Sequence, residues 1–142
     1  MGKRLNIVLP MYNEELSFDS LQAMFNKILL PSDFDYEIII VNDGSTDRTM
    51  EYSLRWQKEN QKIKIISHDK NRGLGQAVLT GFKEAIDSKA DYILTMDADG
   101  SHPVAVIYDM VSAVSQDGAD IVIASRFAPG GAQIGVSFIR KL

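Results

Sequence analysis

Apolar runs that suit buried strands alternate along this chain with segments whose apolar residues recur at helical spacing. The run YEIIIV at 36–41 is continuous and rich in β-branched residues, as expected of a strand that is covered on both faces. The segment 14–29, by contrast, carries its apolar residues at roughly helical intervals. The same reasoning predicts strands at 5–10, 36–41, 62–67, 91–96 and 119–125, and helices at 14–29, 45–60, 73–88 and 103–116.

The alternation of strands and helices predicts βαβ units, and therefore a mainly parallel sheet that is sandwiched by helices and joined by right-handed crossovers. In such α/β sheets, ligands bind beyond the carboxyl ends of the strands. The polar segments that follow the predicted strands are therefore the candidate functional loops. They are 10–14, 42–47, 68–75, 97–102 and 125–131.

Composition narrows the possible functions. The chain has 142 residues, of which 45% are hydrophobic, as is typical of one compact domain. Its net charge of −4 argues against a general nucleic-acid binder. The absence of cysteine excludes disulfides, zinc–thiolate sites and cysteine nucleophiles, and fits a reducing compartment. No apolar run reaches the roughly 18 residues of a membrane span, and the run after the N-terminal basic pair is too short for a signal peptide.

Charge is unevenly distributed along the chain. Residues 90–125 contain six aspartates and neither lysine nor arginine. After Asp120 there is no acidic residue, whereas Arg126, Arg140 and Lys141 remain. Charge alone leaves two interpretations open, which are chance clustering on a solvated face and a binding surface.

The chain contains two Asp-x-Asp sequences, and their positions differ. Asp33 and Asp35 lie in a predicted loop before a strand, so we expect them to be solvated and functionally unimportant. Asp97 and Asp99 follow an apolar strand on the expected ligand-binding side. Their carboxylates are hard oxygen donors at a spacing that can hold Mg²⁺ or Mn²⁺. The alternative is an Asx-turn followed by a helix cap before Pro103.

The sequence VNDGSTDRT at 41–49 follows the second predicted strand. A tight turn and a helix cap explain most of it. Asp43, however, would project from the end of the strand, where its carboxylate could accept a hydrogen bond from a ribose hydroxyl or a base N–H. The sequence leaves the turn and the ligand role both open.

The remaining loops carry weaker signals. The sequence NRGLGQA is a Gly-rich entry to a helix that could favour phosphate through backbone N–H groups, and Arg72 adds a fixed positive charge there. Tyr12 could stack on a base, and Glu14 could cap the first helix. His68 and His102 each lie beside a predicted strand end, where they only weakly indicate a His–carboxylate metal site.

Five of these segments occur in the order found in family 2 glycosyltransferases. The chain most resembles the branch that contains dolichol-phosphate mannose synthase and other polyprenyl-phosphate glycosyltransferases. Each motif is weak alone, but five in order at strand ends are a strong signal, and the resemblance covers nearly the whole chain. The matching sequences are IVLPMYNEE, VNDGSTDRT, NRGLGQAVLTGF, MDADGSHP and ASRFAPGG.

The resemblance implies a Rossmann-like α/β domain of the GT-A fold, which binds a nucleotide-sugar together with Mg²⁺ or Mn²⁺. Asp97 and Asp99 would be the metal-binding and catalytic Asp-x-Asp motif, with Asp99 as the chief ligand. The residues that would hold the nucleotide-sugar are Pro10, Tyr12, Glu14, Asp43, Arg72 and Asp97. The residues that resemble acceptor-phosphate contacts are Ser125, Arg126 and Arg140.

Two local departures from the family pattern accompany this resemblance. The family often has Asp where this chain has Asn42, so that Asp43 is the retained carboxylate. The branch often has Leu and then Gln or Ser where this chain has Gly100 and Ser101, so that metal ligation by Ser101 is not expected.

The implied reaction is an inverting transfer in which the acceptor attacks the anomeric carbon of a UDP- or GDP-sugar and the nucleoside diphosphate leaves. The basic tail without acidic residues favours a polyprenyl phosphate acceptor, dolichyl or undecaprenyl, over a sugar hydroxyl. The oxygen of such an acceptor is already anionic and needs no strong general base. The alternatives are a sugar-hydroxyl acceptor, a nucleotide-sugar-binding module without turnover and, ranked low, a nucleotidyltransferase.

The resemblance also implies how the chain is organised. Residues 1–126 are predicted to form the nucleotide-sugar-binding catalytic domain, and residues 127–142 to begin an acceptor-binding segment that is incomplete. The full-length protein is expected in the cytoplasm, at the cytoplasmic face of a membrane, with no nucleic-acid partner.

Overall fold

The computed structural model describes residues 2–116, 118–125, 127 and 129. The strands are β1 (Lys3–Met11), β2 (Phe34–Asn42), β3 (Ile63–Ser67) and β4 (Tyr92–Thr95). The helices are α1 (Phe18–Phe25), α2 (Thr49–Glu59), α3 (Leu74–Asp87) and α4 (Val106–Gln116). These eight elements alternate in the predicted order. Within the described ranges, no helix has both the length and the apolar character needed to cross a bilayer.

The sheet has the strand order β3-β2-β1-β4, and every pairing is parallel. The chain adds β2 and β3 on one side of β1 and then crosses to place β4 on the other side. Met11 lies opposite Asn42 and Asn42 opposite Ser67, so that β1, β2 and β3 end level with one another. The crevice beyond such a reversal of strand order is the usual ligand site of an open α/β sheet.

Helices cover both faces of the sheet. On one face, α1, α2 and α4 pack over the odd-numbered residues of β1, in a core that contains Phe18 and Trp56. On the other face, Ala77 and Ala85 of α3 pack with Val8 of β1 and with residues of β2. Burial of both faces explains why the central strands have continuous apolar sequences rather than alternating ones.

A glycine in the middle of α3 lets this helix lie very close to the sheet. A Cβ atom added to Gly81 would lie 2.2 Å from Cγ1 of Val8, a residue that is fully buried. Glycine destabilises a helix interior relative to alanine. Its presence here is therefore explained by packing rather than by helix propensity.

We expect Gly81→Ala to destabilise the protein, because the added methyl group overlaps with a side chain that has no space to move into. Overpacking costs about 1–3 kcal/mol, and the 2.2 Å contact with a fully buried side chain indicates the upper part of that range, above the roughly 1 kcal/mol gained in helix propensity. Urea denaturation measures the free energy of unfolding. Gly75→Ala in the same helix is the control, because no atom of the described residues beyond its own turn of helix lies within 4 Å of the added Cβ, and it should be neutral or stabilising. Equal changes in the two variants would contradict the packing explanation.

The first helix is shorter than the sequence predicts. It begins at Phe18 rather than at Glu14 and ends at Phe25 rather than near residue 29. The backbone N–H groups of Glu14 and Glu15 donate instead to the side chains of Thr49, at the start of α2, and of Asp47, in the loop after β2. Contacts with a distant part of the chain therefore override the local helical pattern.

The predicted fifth strand is wrong within the part of the chain that the structure describes. Residues 119–125 have an alternating apolar pattern, but they form no strand there. Ile121 and Ile123 are 79% and 81% exposed. An apolar pattern produces a strand only where a neighbouring strand pairs with its backbone and a core covers one face.

Candidate functional site

Asn13 connects the loop after β1 to the loop after β2. Its backbone adopts a left-handed conformation with φ of 55°, which asparagine tolerates better than most residues. Its Oδ1 accepts a hydrogen bond from the Thr46 N–H at 2.8 Å, and its own N–H donates to Oγ of Ser45 at 3.1 Å. Asn13 therefore turns the chain at the edge of the sheet and holds the two loops together.

Asp47 makes a second connection between these loops. Its Oδ1 accepts from the Thr49 N–H at 2.9 Å, and its Oδ2 accepts from the Glu15 N–H at 3.1 Å. Burial raises the pKa of Asp47, but hydrogen bonds from Thr49 and Glu15 outweigh this effect and hold that pKa below its ordinary value. The ionised carboxylate therefore satisfies the first N–H group of α2 and fixes the β1 loop against this helix.

Three of the predicted nucleotide-binding residues lie at the end of β1 and differ in exposure. Tyr12 is 45% exposed, so its ring is accessible for stacking. Pro10 is buried within β1, opposite Val41. The half-buried Glu14 accepts a hydrogen bond at Oε2 from the Ser17 hydroxyl at 2.7 Å. Tyr12 is thus the most accessible of the three side chains.

Asp43 follows β2 directly, and its side chain is only 4% exposed. Its Oδ1 accepts hydrogen bonds from Nδ1 of His68 at 2.6 Å and from the Arg72 N–H at 2.9 Å. Its Oδ2 accepts from the Gly73 N–H at 2.9 Å. Burial raises the pKa of Asp43, but these hydrogen bonds outweigh it and hold that pKa below its ordinary value. Asp43, which is predicted to bind the nucleoside, therefore also holds the loop between β3 and α3 in place.

Sequence reasoning missed the part that His68 plays in this arrangement. The sequence places His68 beside a strand end, but gives no sign of its partners. In the structure its side chain is 6% exposed, and Nε2 lies 2.9 Å from Oγ1 of Thr80 in α3. Asp43 and Thr80 are 25 and 12 residues away in sequence, so that only the fold brings the three together.

Arg72 has separate roles for its backbone and its side chain. Its N–H donates to Asp43, as described above. Its guanidinium forms an ion pair with Asp69 at 2.7 Å and is 49% exposed. A bound phosphate would therefore meet a guanidinium whose charge is partly balanced by Asp69.

Asp97 and Asp99 are both exposed beyond the end of β4, and buried Ala98 lies between them. Oδ1 of Asp99 accepts from the Ser101 N–H at 2.8 Å, which is the geometry of an Asx-turn. Hydrogen bonds from Ser101 hold the pKa of Asp99 below its ordinary value. The turn and the metal site predicted as alternatives are compatible, because two carboxylates have about eight lone-pair sites and the turn uses few of them.

The aspartate pair lies beside the β1 loop. The Ser17 hydroxyl is 3.4 Å from the carbonyl oxygen of Ala98, while its closer contact is with Glu14. On the other side, the Asp97 N–H donates to Nδ1 of His102 at 3.4 Å. His102 thus contacts the backbone of the loop through Nδ1.

A divalent cation that is shared with a ligand fits this pair of carboxylates. Among the described residues, no group of three or more His, Cys, Asp or Glu side chains could hold a metal ion. Mg²⁺, however, is usually held by only one or two carboxylates, together with water and substrate phosphates. The exposed Asp97 and Asp99 match that second arrangement.

The predicted acceptor residues are only partly described. Ser125 is exposed, and its Oγ accepts from the Phe127 N–H at 3.2 Å. Arg126 and Arg140 lie outside the described residues. The acceptor-phosphate site and the division of the chain after residue 126 therefore stay predictions.

The other Asp-x-Asp sequence lies at the opposite edge of the sheet, where β2 begins. Asp33 forms an ion pair with Lys3 at 3.2 Å, and Asp35 forms one with Lys62 at 2.5 Å. The hydrogen bond from Lys62 holds the pKa of Asp35 below its ordinary value. The same Asp-x-Asp spacing thus occurs at the two ends of the sheet in different surroundings.

Comparison with known proteins identifies the family. The family described as Glycosyl transferase family 2 matches residues 6–134. A Dolichol-phosphate mannosyltransferase of Pyrococcus furiosus is 36% identical over 144 residues, in an alignment that covers 98% of this chain and 38% of that protein. The chain therefore spans well under half of the length of this relative.

Solved structures share the architecture at lower identity. S. aureus TarS 1–349 in complex with UDP has a TM-score of 0.71 and 20% identity, with coverage of 89% of this chain and 40% of TarS. Mannosyltransferase PcManGT from Pyrobaculum calidifontis, in complex with GDP-Man and Mn²⁺, has a TM-score of 0.60 and 23% identity, with coverage of 70% and 28%. At these identities the similarity shows the fold alone, and it confirms the predicted Rossmann-like GT-A architecture.

Proposed function

Because the chain belongs to glycosyl transferase family 2, we propose that its loops bind a nucleotide-sugar and that the full-length protein transfers the sugar with inversion. The observation that carries this proposal is the position of Asp97 and Asp99, exposed beyond β4 and beside the β1 loop. This position, beside the point where the strand order reverses, is where an α/β sheet binds its ligands.

The base of the donor would contact the loops after β1 and β2. Tyr12 offers an exposed ring for stacking. A carboxylate has about four lone-pair sites, and Asp43 uses three of them within the protein. The site on Oδ2 that the described residues leave unused would accept a base N–H or a ribose hydroxyl. The presence of UDP in the TarS complex and of GDP-Man in the PcManGT complex makes UDP- and GDP-sugars the candidate donors.

Three other residues predicted to hold the donor are Arg72, Pro10 and Glu14, and their surroundings suggest different roles. Arg72 would lie near the nucleotide, with a guanidinium that is accessible at the protein surface. Pro10 and Glu14 would support the β1 loop, since the first is buried and the second is held by Ser17.

Asp97 and Asp99 would hold Mg²⁺ or Mn²⁺ at the donor diphosphate. A bound cation of this kind stabilises the negative charge that develops on a leaving nucleoside diphosphate. The exposure of both carboxylates and the Mn²⁺ in the PcManGT complex support this assignment. Ser101 would orient Asp99 through the hydrogen bond to Oδ1.

We infer that the acceptor is a polyprenyl phosphate rather than a sugar hydroxyl. The 36% identity to a dolichol-phosphate mannosyltransferase supports this class of acceptor. Arginine is well suited to phosphate, so Arg126 and Arg140, together with Ser125, would contact the acceptor phosphate. The phosphate oxygen could then attack the anomeric carbon without a strong general base, and the reaction would take place at a membrane surface.

Calorimetry of this chain with UDP and with GDP, each with and without Mn²⁺, tests the donor and metal assignments. We expect one of the two nucleotides to bind, and Mn²⁺ to strengthen binding about tenfold or more, which corresponds to about 1.4 kcal/mol. The reason is that the cation links the aspartates to the diphosphate. No binding of either nucleotide would contradict the donor proposal. Equal affinity with and without Mn²⁺ would contradict the metal assignment alone.

A further inference from the structure

A buried chain of hydrogen bonds connects the ends of β2 and β3 with helix α3. Asp43 follows β2, His68 follows β3, and Thr80 lies in the middle of α3. The distances are 2.6 Å from Asp43 Oδ1 to His68 Nδ1 and 2.9 Å from His68 Nε2 to Thr80 Oγ1. The side chains of Asp43 and His68 are 4% and 6% exposed.

The hydrogen-bonding capacity of each group fixes the direction of these bonds. An ionised carboxylate can only accept, and the hydrogen bonds to Asp43 hold its pKa below its ordinary value. Nδ1 of His68 must therefore carry a hydrogen and donate it to Asp43. Nε2 is then the nitrogen that faces the Thr80 hydroxyl, which can both donate and accept.

The same carboxylate holds the loop between β3 and α3. The backbone N–H groups of Arg72 and Gly73 both donate to Asp43, one to each oxygen. If His68 did not hold Oδ1, the carboxylate could rotate and its two backbone hydrogen bonds would weaken. The position of the Arg72 backbone therefore depends on His68, and so does that of the lone pair on Oδ2 that no described residue uses.

We propose that His68 is a positioning residue for nucleotide binding, which fixes Asp43 through Nδ1–H and is itself fixed by Thr80. This inference rests on the proposed function, since it assigns to Asp43 and Arg72 a place in the donor site. His68 does not contact the nucleotide. It sets the orientation of the carboxylate that would accept from the nucleoside and the position of the Arg72–Gly73 backbone.

Three substitutions separate the possible roles of His68. His68→Phe keeps a ring of similar shape but removes both nitrogens. His68→Asn can place an amide N–H near the position of Nδ1, and so restores the donor to Asp43. Thr80→Val removes only the partner of Nε2. We expect nucleotide affinity to fall about tenfold in His68→Phe, because a misoriented Asp43 would lose the hydrogen bond from the nucleoside to its charged carboxylate. The affinity should fall less in Thr80→Val and recover in His68→Asn.

The test combines amide hydrogen exchange at Arg72 and Gly73, measured by NMR without ligand, with the affinity for UDP and GDP in the presence of Mn²⁺. Exchange at both amides should be faster in His68→Phe than in the wild type, and near the wild-type rate in His68→Asn. Asn6→Ala is the matched control, because Asn6 is another buried polar residue, 2% exposed, and donates to Ser88 far from these loops. It should lower stability without changing exchange at Arg72 and Gly73 or nucleotide affinity.

Each outcome decides the proposal. Unchanged exchange at Arg72 and Gly73 in His68→Phe would overturn it, and so would faster exchange with unchanged nucleotide affinity. Equal loss of affinity in His68→Phe and Asn6→Ala would show that only stability is affected, which also overturns it. If the wild type binds neither nucleotide, the donor proposal fails instead, and faster exchange in His68→Phe still supports the positioning of the loop by His68.

Discussion

Gly44→Ala should destabilise the protein by about 3 kcal/mol or more, since it combines backbone strain with overpacking. The φ angle of Gly44 is +67°, which strains any residue that has a Cβ atom. The added Cβ would also lie 2.3 Å from the carbonyl carbon of Lys70 and 2.5 Å from the backbone nitrogen of Asn71. These are backbone atoms, so no side-chain rotation can relieve the overlap. The loop between β3 and α3 would have to move as a whole.

This displacement should also weaken nucleotide binding, because the same loop carries the two N–H groups that donate to Asp43. Urea denaturation and calorimetry with UDP and GDP measure the two effects. Gly118→Ala is the matched control, since its φ is +66° and, apart from its chain neighbours, no described residue has an atom within 4 Å of its added Cβ. It should lose only about 1 kcal/mol from backbone strain. Equal losses of stability in the two variants would contradict the close approach of the loops.

The contact between Gly44 and Lys70 shows what the sequence could and could not predict. The eight elements and their order were predictable because burial imposes a local period on the sequence. The rule that ligands bind at the carboxyl ends of parallel strands then selects the loops after these strands as the candidate ligand-binding loops. The close approach of two loops that are far apart in sequence imposes no such period on the sequence, so the sequence could not predict it.

Asp43 illustrates the same limit at the level of one side chain. The sequence indicates that this carboxylate follows a strand, and the structure confirms that position. Its donors, His68 and Arg72, are 25 and 29 residues away, and the sequence alone gives no sign of them. The prediction of a strand at 119–125 was wrong for the converse reason. Its local pattern suits a strand, but the described residues provide no pairing partner.

Asp97→Asn and Asp99→Asn, combined in one variant, should abolish the effect of Mn²⁺ on nucleotide affinity while the fold is retained. Both side chains are exposed, so that the amides can be accommodated without burial of unpaired polar groups. A neutral amide is a much weaker ligand than a carboxylate for a hard cation such as Mg²⁺ or Mn²⁺. The expected result is a loss of the tenfold or larger strengthening by Mn²⁺, about 1.4 kcal/mol, measured by calorimetry with the nucleotide that the wild type binds.

The chain contains its own control for this experiment. Asp33→Asn and Asp35→Asn remove the same two charges from an Asp-x-Asp sequence at the other edge of the sheet, where each aspartate is paired with a lysine. This second variant should keep the full effect of Mn²⁺, because Asp33 and Asp35 lie far from the proposed donor site although they share the Asp-x-Asp spacing. If both double variants lost the effect equally, Mn²⁺ would be acting through the overall charge of the protein. If neither lost it, the metal would be bound elsewhere, and the assignment to Asp97 and Asp99 would be wrong.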